Sequence, residues 1–398
     1  MSALSKLRIL ELSESVAGEY CGKLLSDFGA EVIKLERPHG GSPTRRLGPF
    51  GAASAAPEGS GLFAYLNTNK SSITVDIATV GGSSTLDMLL HRVDAVIDDH
   101  PPGWLKTNGV DPASFHRRLP RLVVCSITPY GQSPPENRMH AEDLTVFHSS
   151  GWGYHTPSAP DESEPPLKGA GRFYASYEAG LEAAMCTVAA LYERESSNQG
   201  QFIDISARQV LASRLDYILG AMVAGDMDAT TDRTAFDLQG PAGIFPCREG
   251  HAYFWIATQE DWEALRELLN KPEWMNSFPE HWLQRECTSE RVAICRRYVG
   301  EWLKTQNKIE AAAKAQKLGI ILVPVNDAND LTLSPQYASR HFFAEVDHPV
   351  LGRQVYPTVP YRLSATPAKI ESPAPRLGQH TTDWLTLIDP APTAIGAE

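Results

Sequence analysis

The opening residues constrain this chain more than any other stretch. Leu7-Arg-Ile-Leu-Glu-Leu12 has the length and apolar content of a strand. Ser13 to Gly18 is small and polar, a turn. Between Tyr20 and Phe28, apolar or small residues recur at 20, 21, 24, 25 and 28, a helical period that Gly29 closes as a C-cap. Glu31-Val-Ile-Lys-Leu-Glu36 is a second strand. Strand, helix and strand within about 30 residues make a β-α-β unit, whose crossover returns the second strand parallel to the first. The turn lacks the G-x-G-x-x-G fingerprint, so nothing in it supports NAD or FAD.

The alternation continues. Residues 72–77, 95–98 and 122–127 read as strands, with a helix over 82–92. Residues 132–140 and 155–171 are rich in Pro, Gly, Ser or charge and read as loops. Residues 179–195 are apolar on several faces, which predicts a helix buried against a core or a partner. A strand over 201–206 and a helix over 207–223 follow. This pattern predicts an α/β fold with a parallel, doubly wound sheet. Near 226 the character changes, with a strand at 252–257 and helices at 259–269 and 287–306. The expected organisation is 1–225 as the first part of a large domain, 226–310 as a small domain, and 311–398 as the return and a C-terminal tail.

Composition narrows the function. Lys plus Arg number 36 against 48 Asp plus Glu, a net charge of −12. Nucleic acid repels such a surface, and no basic run offsets it. No apolar stretch approaches the length of a membrane span, so no membrane association is expected. The six Cys form no C-x-x-C and no zinc spacing with His, so reduced thiols and no metal are expected. The start lacks the basic and apolar segments of a signal peptide, which points to the cytoplasm.

A series of local sequences says more: Leu7–Leu12, Leu24-Leu-Ser-Asp-Phe-Gly-Ala-Glu-Val-Ile-Lys-Leu-Glu-Arg-Pro38, Leu66-Asn-Thr-Asn-Lys-Ser71, Gly200-Gln-Phe-Ile-Asp-Ile-Ser206, Val323-Pro-Val-Asn326, Glu345-Val-Asp-His-Pro-Val-Leu-Gly-Arg353, Leu363-Ser-Ala-Thr-Pro367 and Leu377-Gly-Gln-His-Thr381. In this order the chain resembles the class III CoA-transferases, the CaiB/BaiF family. The resemblance implies a Rossmann-like large domain built from both chain ends, a smaller α+β domain between them, and an interlocked dimer. It implies coenzyme A or acyl-CoA as substrate, with no metal. Carried onto this sequence, the CoA site comprises Val16, Ala17, Arg37, Leu66, Asn69, Lys70, Asp99, His100, Lys106 and His140. Arg37 suits a phosphate because its guanidinium offers two parallel donors.

Departures from the family pattern carry the functional question. Asp99 stands where relatives carry Asn, and a carboxylate there repels phosphate. Thr107 and His140 replace expected basic residues. Most important, the family's nucleophile is an Asp carboxylate that attacks the thioester and forms a mixed anhydride. The matching run here is Ala175-Ser176-Tyr177-Glu178-Ala179-Gly180, which puts Ser176 at the nucleophile position. Ser176 also suits an ordinary helix N-cap. Glu178 is a candidate substitute, yet two positions along a helix turn a side chain about 200° away. Racemisation is disfavoured, because Glu142 stands where the racemase His would precede Asp143. Trp152 and Tyr154, between His148 and His155, are candidate walls of an acyl pocket.

The expected function is therefore a subunit of a class III CoA-transferase, moving CoA between an acyl-CoA and a carboxylic acid, without the nucleophile and paired with a catalytic paralogue. Two alternatives remain open. One is a self-sufficient transferase or CoA-dependent lyase, dimeric with itself, that uses Glu178. The other is a non-catalytic acyl-CoA-binding protein.

Overall fold

The computed structural model describes residues 2–51, 57–111, 117–135, 141–155, 171–225 and 240–388. The chain divides into a larger unit, Met1–Ala229 with Phe342–Glu398, and a smaller one, Thr230–His341.

The larger unit is organised by a six-stranded parallel sheet: β1 (Arg8–Glu11), β2 (Glu31–Glu36), β3 (Lys70–Thr74), β4 (Ala95–Asp98), β5 (Val123–Thr128) and β6 (Phe202–Ser206). Their spatial order is β3-β2-β1-β4-β5-β6. Strand order therefore reverses between β1 and β4, a switch point at whose carboxyl end a crevice opens. The helices of this unit include α1 (Val16–Asp27), α2 (Gly61–Leu66), α3 (Val80–Leu90), α4 (Trp104–Thr107), α5 (Asp143–Ser149) and α6 (Tyr174–Ser197).

Period-two alternation sends the strand residues into two cores. Ile9, Val32, Ile97, Val123 and Cys125 pack on one face with α1 and α6. Leu10, Ile33, Val96 and Val124 pack on the other with Leu86, Leu89 and Leu90 of α3. Covering both faces is what a parallel sheet requires. Helices α1 and α6 cross closely at Gly180, where an added Cβ would stand 2.5 Å from the Ala17 carbonyl oxygen.

Only part of α6 is covered. Ala179, Ala183, Ala190 and Leu191 are buried, while Met185 is 59% and Tyr192 81% exposed. Helix α6 is also longer than its apolar pattern indicates: it begins at Tyr174, not near 177.

The smaller unit holds an antiparallel sheet, β7 (Ala242–Pro246), β8 (His251–Trp255) and β9 (Ile321–Val325), in that order. Trp262, Met275, Trp282 and Leu303 form its core. The pattern of the sequence places the return to the large domain at 311. The structure places it at Phe342, because β9 pairs with β8 and so stays in the smaller unit. A hairpin of β10 (Phe343–His348) and β11 (Gly352–Pro357) completes the strands.

No described helix is long and apolar enough to cross a membrane. Cys21, Cys125 and Cys295 are buried, and Cys287 is exposed.

Candidate functional site

Two pockets open at the switch point. One, of about 410 Å³, is walled by Val16 and Ala17 at the start of α1, by Asp99 and His100 after β4, and by Asp143 and Ser176 at the starts of α5 and α6. The other, of about 380 Å³, is walled by Leu12, Leu35 and Arg37 after β1 and β2, by Val75–Ala78 after β3, and by Trp104. Glu14 and His100 line both, so they form the partition between them.

The partition is an ionic relay. His100 Nδ1 lies 2.8 Å from Asp98 Oδ1 and its Nε2 lies 3.6 Å from Glu14 Oε2. The Arg37 guanidinium donates to the same Glu14 oxygen. The His100 ring stacks on Trp104, with centroids 3.6 Å apart and planes 5° from parallel. Burial alone would depress the imidazole pKa, but hydrogen bonds to Asp98 and Glu14 and the charges of Asp98 and Asp99 push it up to about 9. His100 is therefore a cation at neutral pH. Burial acts on Glu14 in the opposite sense, and hydrogen bonds from His100 and Arg37 outweigh it, so its pKa falls.

Ser176 lies in the first turn of α6. The helix N-cap is Phe173, whose side chain caps nothing, so Ser176 is not the cap. Asp143 fills that role from a neighbouring helix. Its Oδ1 accepts from Ser176 N at 2.7 Å and from Ser176 Oγ at 2.8 Å, and its Oδ2 accepts from Ala175 N at 3.2 Å. Burial raises the Asp143 pKa, and these bonds restrain the rise.

Glu178 is not on the pocket wall. Its carboxylate meets Arg214 Nε at 3.0 Å, and the same guanidinium holds Glu182 at 2.6 Å. The turn between 176 and 178 separates the two side chains as helical geometry requires.

Of the residues carried over for CoA, the structure brings Val16, Ala17, Arg37, Asp99 and His100 to the pockets. Others lie away from both pockets. Lys70 is buried, with its Nζ on Glu11 Oε2 at 2.7 Å, the Glu19 carbonyl at 2.7 Å and Asn67 Oδ1 at 3.0 Å. It belongs to an internal ion network with Lys34, which meets Glu11 and Glu19 at 2.9 Å each. Asn69 takes a left-handed φ of 63° and ties down the 369–372 segment: it donates to the Lys369 carbonyl at 2.7 Å and accepts from Glu371 N at 2.7 Å. Leu66 is fully buried. Asn69 thus holds the loop before β3 against the C-terminal segment.

Lys106 is exposed on α4 and lines neither pocket. His140 lies outside the described residues, as do the side chains of Tyr154 and His155. Trp152 lines neither of the two pockets, and its indole N–H donates to the Leu211 carbonyl at 2.9 Å.

The sequence reading missed the roles of Glu14, Trp104 and Asp143. Glu14 follows β1 directly, and the rule that ligands gather at carboxyl ends of strands would have drawn attention to it. Nothing local marks Asp143 as the cap of a helix that starts 31 residues later. Among the described residues no group of three or more His, Cys, Asp or Glu is placed to hold a metal ion.

Comparison with known proteins matches this architecture. The profile of CoA-transferase family III covers residues 4–381. The chain is 29% identical to succinyl-CoA–D-citramalate CoA-transferase of Chloroflexus aurantiacus, over 96% of this chain and 93% of that protein. It is 26% identical to the BbsE subunit of succinyl-CoA:(R)-benzylsuccinate CoA-transferase of Thauera aromatica, again over 96% and 93%. The crystal structure of a CAIB/BAIF family protein from Brucella suis superposes with a TM-score of 0.82 at 25% identity, over 98% of this chain and all of that one.

Proposed function

The chain belongs to CoA-transferase family III, and on that premise we propose that it is the subunit of such an enzyme that lacks the Asp nucleophile and works beside a paralogue that carries one. The observation that carries this reading is Ser176, a hydroxyl bonded to Asp143 at the place on α6 where the family's carboxylate is expected. A hydroxyl cannot form the mixed anhydride through which CoA passes from one acid to another. Asp143 does not replace it, since both its oxygens hold the first turn of α6. Glu178 does not either, since Arg214 draws it away.

The substrates of the assembly are an acyl-CoA and a carboxylic acid, and the cleft beside Arg37 suits the nucleoside end of the first. The Arg37 side chain, 65% exposed and paired with Glu14, stands at the mouth of the cleft, and Trp104 with Leu12 and Leu35 gives an apolar wall for a flat base. Relatives include chains named as subunits: the alpha subunit of a succinyl-CoA–L-malate CoA-transferase, and BbsE. The exposed apolar strip on α6 fits a chain that assembles with another. Several relatives are named for succinyl-CoA, which makes it the first donor to try.

The test is reconstitution. The chain is purified alone and together with a paralogue that carries Asp at the position matching 176. CoA transfer from succinyl-CoA is then measured, with hydroxylamine trapping of the acyl-enzyme. Activity and trapping confined to the mixture, with the label on the paralogue, support the proposal. Glu178→Gln in the mixture should change the rate by no more than about twofold, as substitutions away from a site do. Transfer by the chain alone that Glu178→Gln abolishes would establish the self-sufficient alternative. CoA binding without turnover in either format would leave a binding protein.

A further inference from the structure

We infer that Asp99 is an internal anion that fills the phosphate cradle at the start of α1, so that this chain's own pocket excludes a ligand pyrophosphate. The inference rests on the subunit reading above and concerns which chain of the assembly grips the coenzyme. Main-chain N–H groups of Glu14, Ser15 and Gly18 donate to the Asp99 carboxylate at 2.8, 3.0 and 3.1 Å, and Ser15 Oγ adds a fourth bond at 2.6 Å. N–H groups converging at the start of a helix are what phosphate oxygens bind. Here the donors are already spent on an acceptor that is part of the chain. The seat is tight: a Cβ on Gly18 would stand 2.7 Å from Asp99 Oδ2, so no side chain fits between helix and carboxylate.

The charge around the pocket points the same way. Glu14, Glu142 and Asp143 line it as well, and among its described lining residues His100 is the one cation. That cation is already matched, since Asp98 and Glu14 hold both ring nitrogens. A pyrophosphate entering here would displace Asp99 from four hydrogen bonds into a field of its own sign. The neighbouring pocket differs, because Arg37 is exposed there against apolar walls. The chain can therefore accept the nucleoside end of a coenzyme while rejecting the pyrophosphate link.

Two probes separate these ends: CoA, and adenosine 3′,5′-bisphosphate, which lacks the pyrophosphate. Both are titrated by calorimetry into the native chain and into Asp99→Asn, a near-isosteric change that keeps an acceptor oxygen and removes the charge. The native chain should bind the two probes within about threefold of each other, and Asp99→Asn should tighten CoA by about tenfold or more while leaving the bisphosphate unchanged, the scale of one relieved like-charge contact. A native chain that prefers CoA by tenfold, or a variant that gains nothing, overturns the inference. Thermal unfolding checks the variant, and Asp99→Ser carries the same expectation should Asn disturb the fold. Failure of Asp99→Asn to bind CoA, alongside CoA transfer by the mixed assembly, overturns this inference and spares the subunit reading. An inert assembly whose Asp99→Asn chain binds CoA tightly does the converse.

Discussion

Lys70 reaches into the space between α1 and β1, where Glu11, Glu19 and Lys34 are all fully buried. Burial by itself would strip an ammonium of its proton, and its pKa does fall, although Glu11 and Glu19 resist the change. Such a group stabilises only as part of a matched set. Removing one partner leaves a charge without compensation and costs about 3–5 kcal/mol. Lys70→Met should lower the unfolding free energy measured in urea by that amount, with a lower midpoint. An unchanged midpoint would mean that Lys70 is free for a ligand after all. His100 gives a second prediction at this scale. Its folded pKa of about 9 lies above the ordinary 6.5, so its stabilisation is full below pH 6.5 and is lost as pH rises through 9. The contribution is roughly 3 kcal/mol. Unfolding free energy should decline across that window in the native chain and stay level in His100→Gln. A native chain that holds its stability to pH 9.5 would contradict the relay through Asp98 and Glu14.

At the scale of elements, the crossing of α1 and α6 sets the geometry of the pocket, because both helices begin on it. Gly180 permits the crossing, and the atom that an added Cβ would meet is backbone, which cannot turn aside. In an exposed helix Gly→Ala gains about 1 kcal/mol of propensity. Here overpacking against the Ala17 carbonyl costs about 1–3 kcal/mol. Gly180→Ala should therefore lower the thermal midpoint, and Gly180→Val should lower it further. A rise in midpoint would show the crossing to be loose. The sequence showed these elements unevenly. The strands at 31–36 and 95–98 match their sequence reading: 95–98 is an apolar run buried on both faces, and 31–36 keeps Val32, Ile33 and Leu35 around Lys34. Strand β3 runs Lys70–Thr74 where the sequence suggests 72–77, since the polar run of Lys70, Ser71 and Ser72 carries little apolar signal. Helix α1 begins at Val16, ahead of the visible period, since its first turn is small and polar.

For the whole molecule, the apolar groove formed by Leu4, Leu24, Phe28, Met185, Val188 and Tyr361 matters most. It offers water an almost wholly apolar surface on a chain of net charge −12. Contiguous patches of this kind mark sites of association. Met185→Glu should leave the unfolding free energy of the isolated chain within about 0.5 kcal/mol, because the side chain is 59% exposed there. The same change should reduce co-purification with the paralogue at least about tenfold, the effect of a charge buried unpaired at an interface. Equal recovery of the paralogue would place the contact elsewhere.

The amino-acid order alone determined the parallel sheet, the family and the hydroxyl at 176. Periodicity, short signature blocks and residue identity are all local properties of the chain. It also raised the question of whether this chain carries the family's carboxylate nucleophile. Which charges face the cleft was decided by tertiary structure. Lys70 and Arg37 are both cations next to strands, yet one is sealed among carboxylates and the other stands at the pocket mouth. Asp99 meets the start of α1 from 81 or more residues away, and Asp143 meets α6 across 33. Partners so distant are chosen by how the sheet orders its strands, and no window of sequence contains that choice.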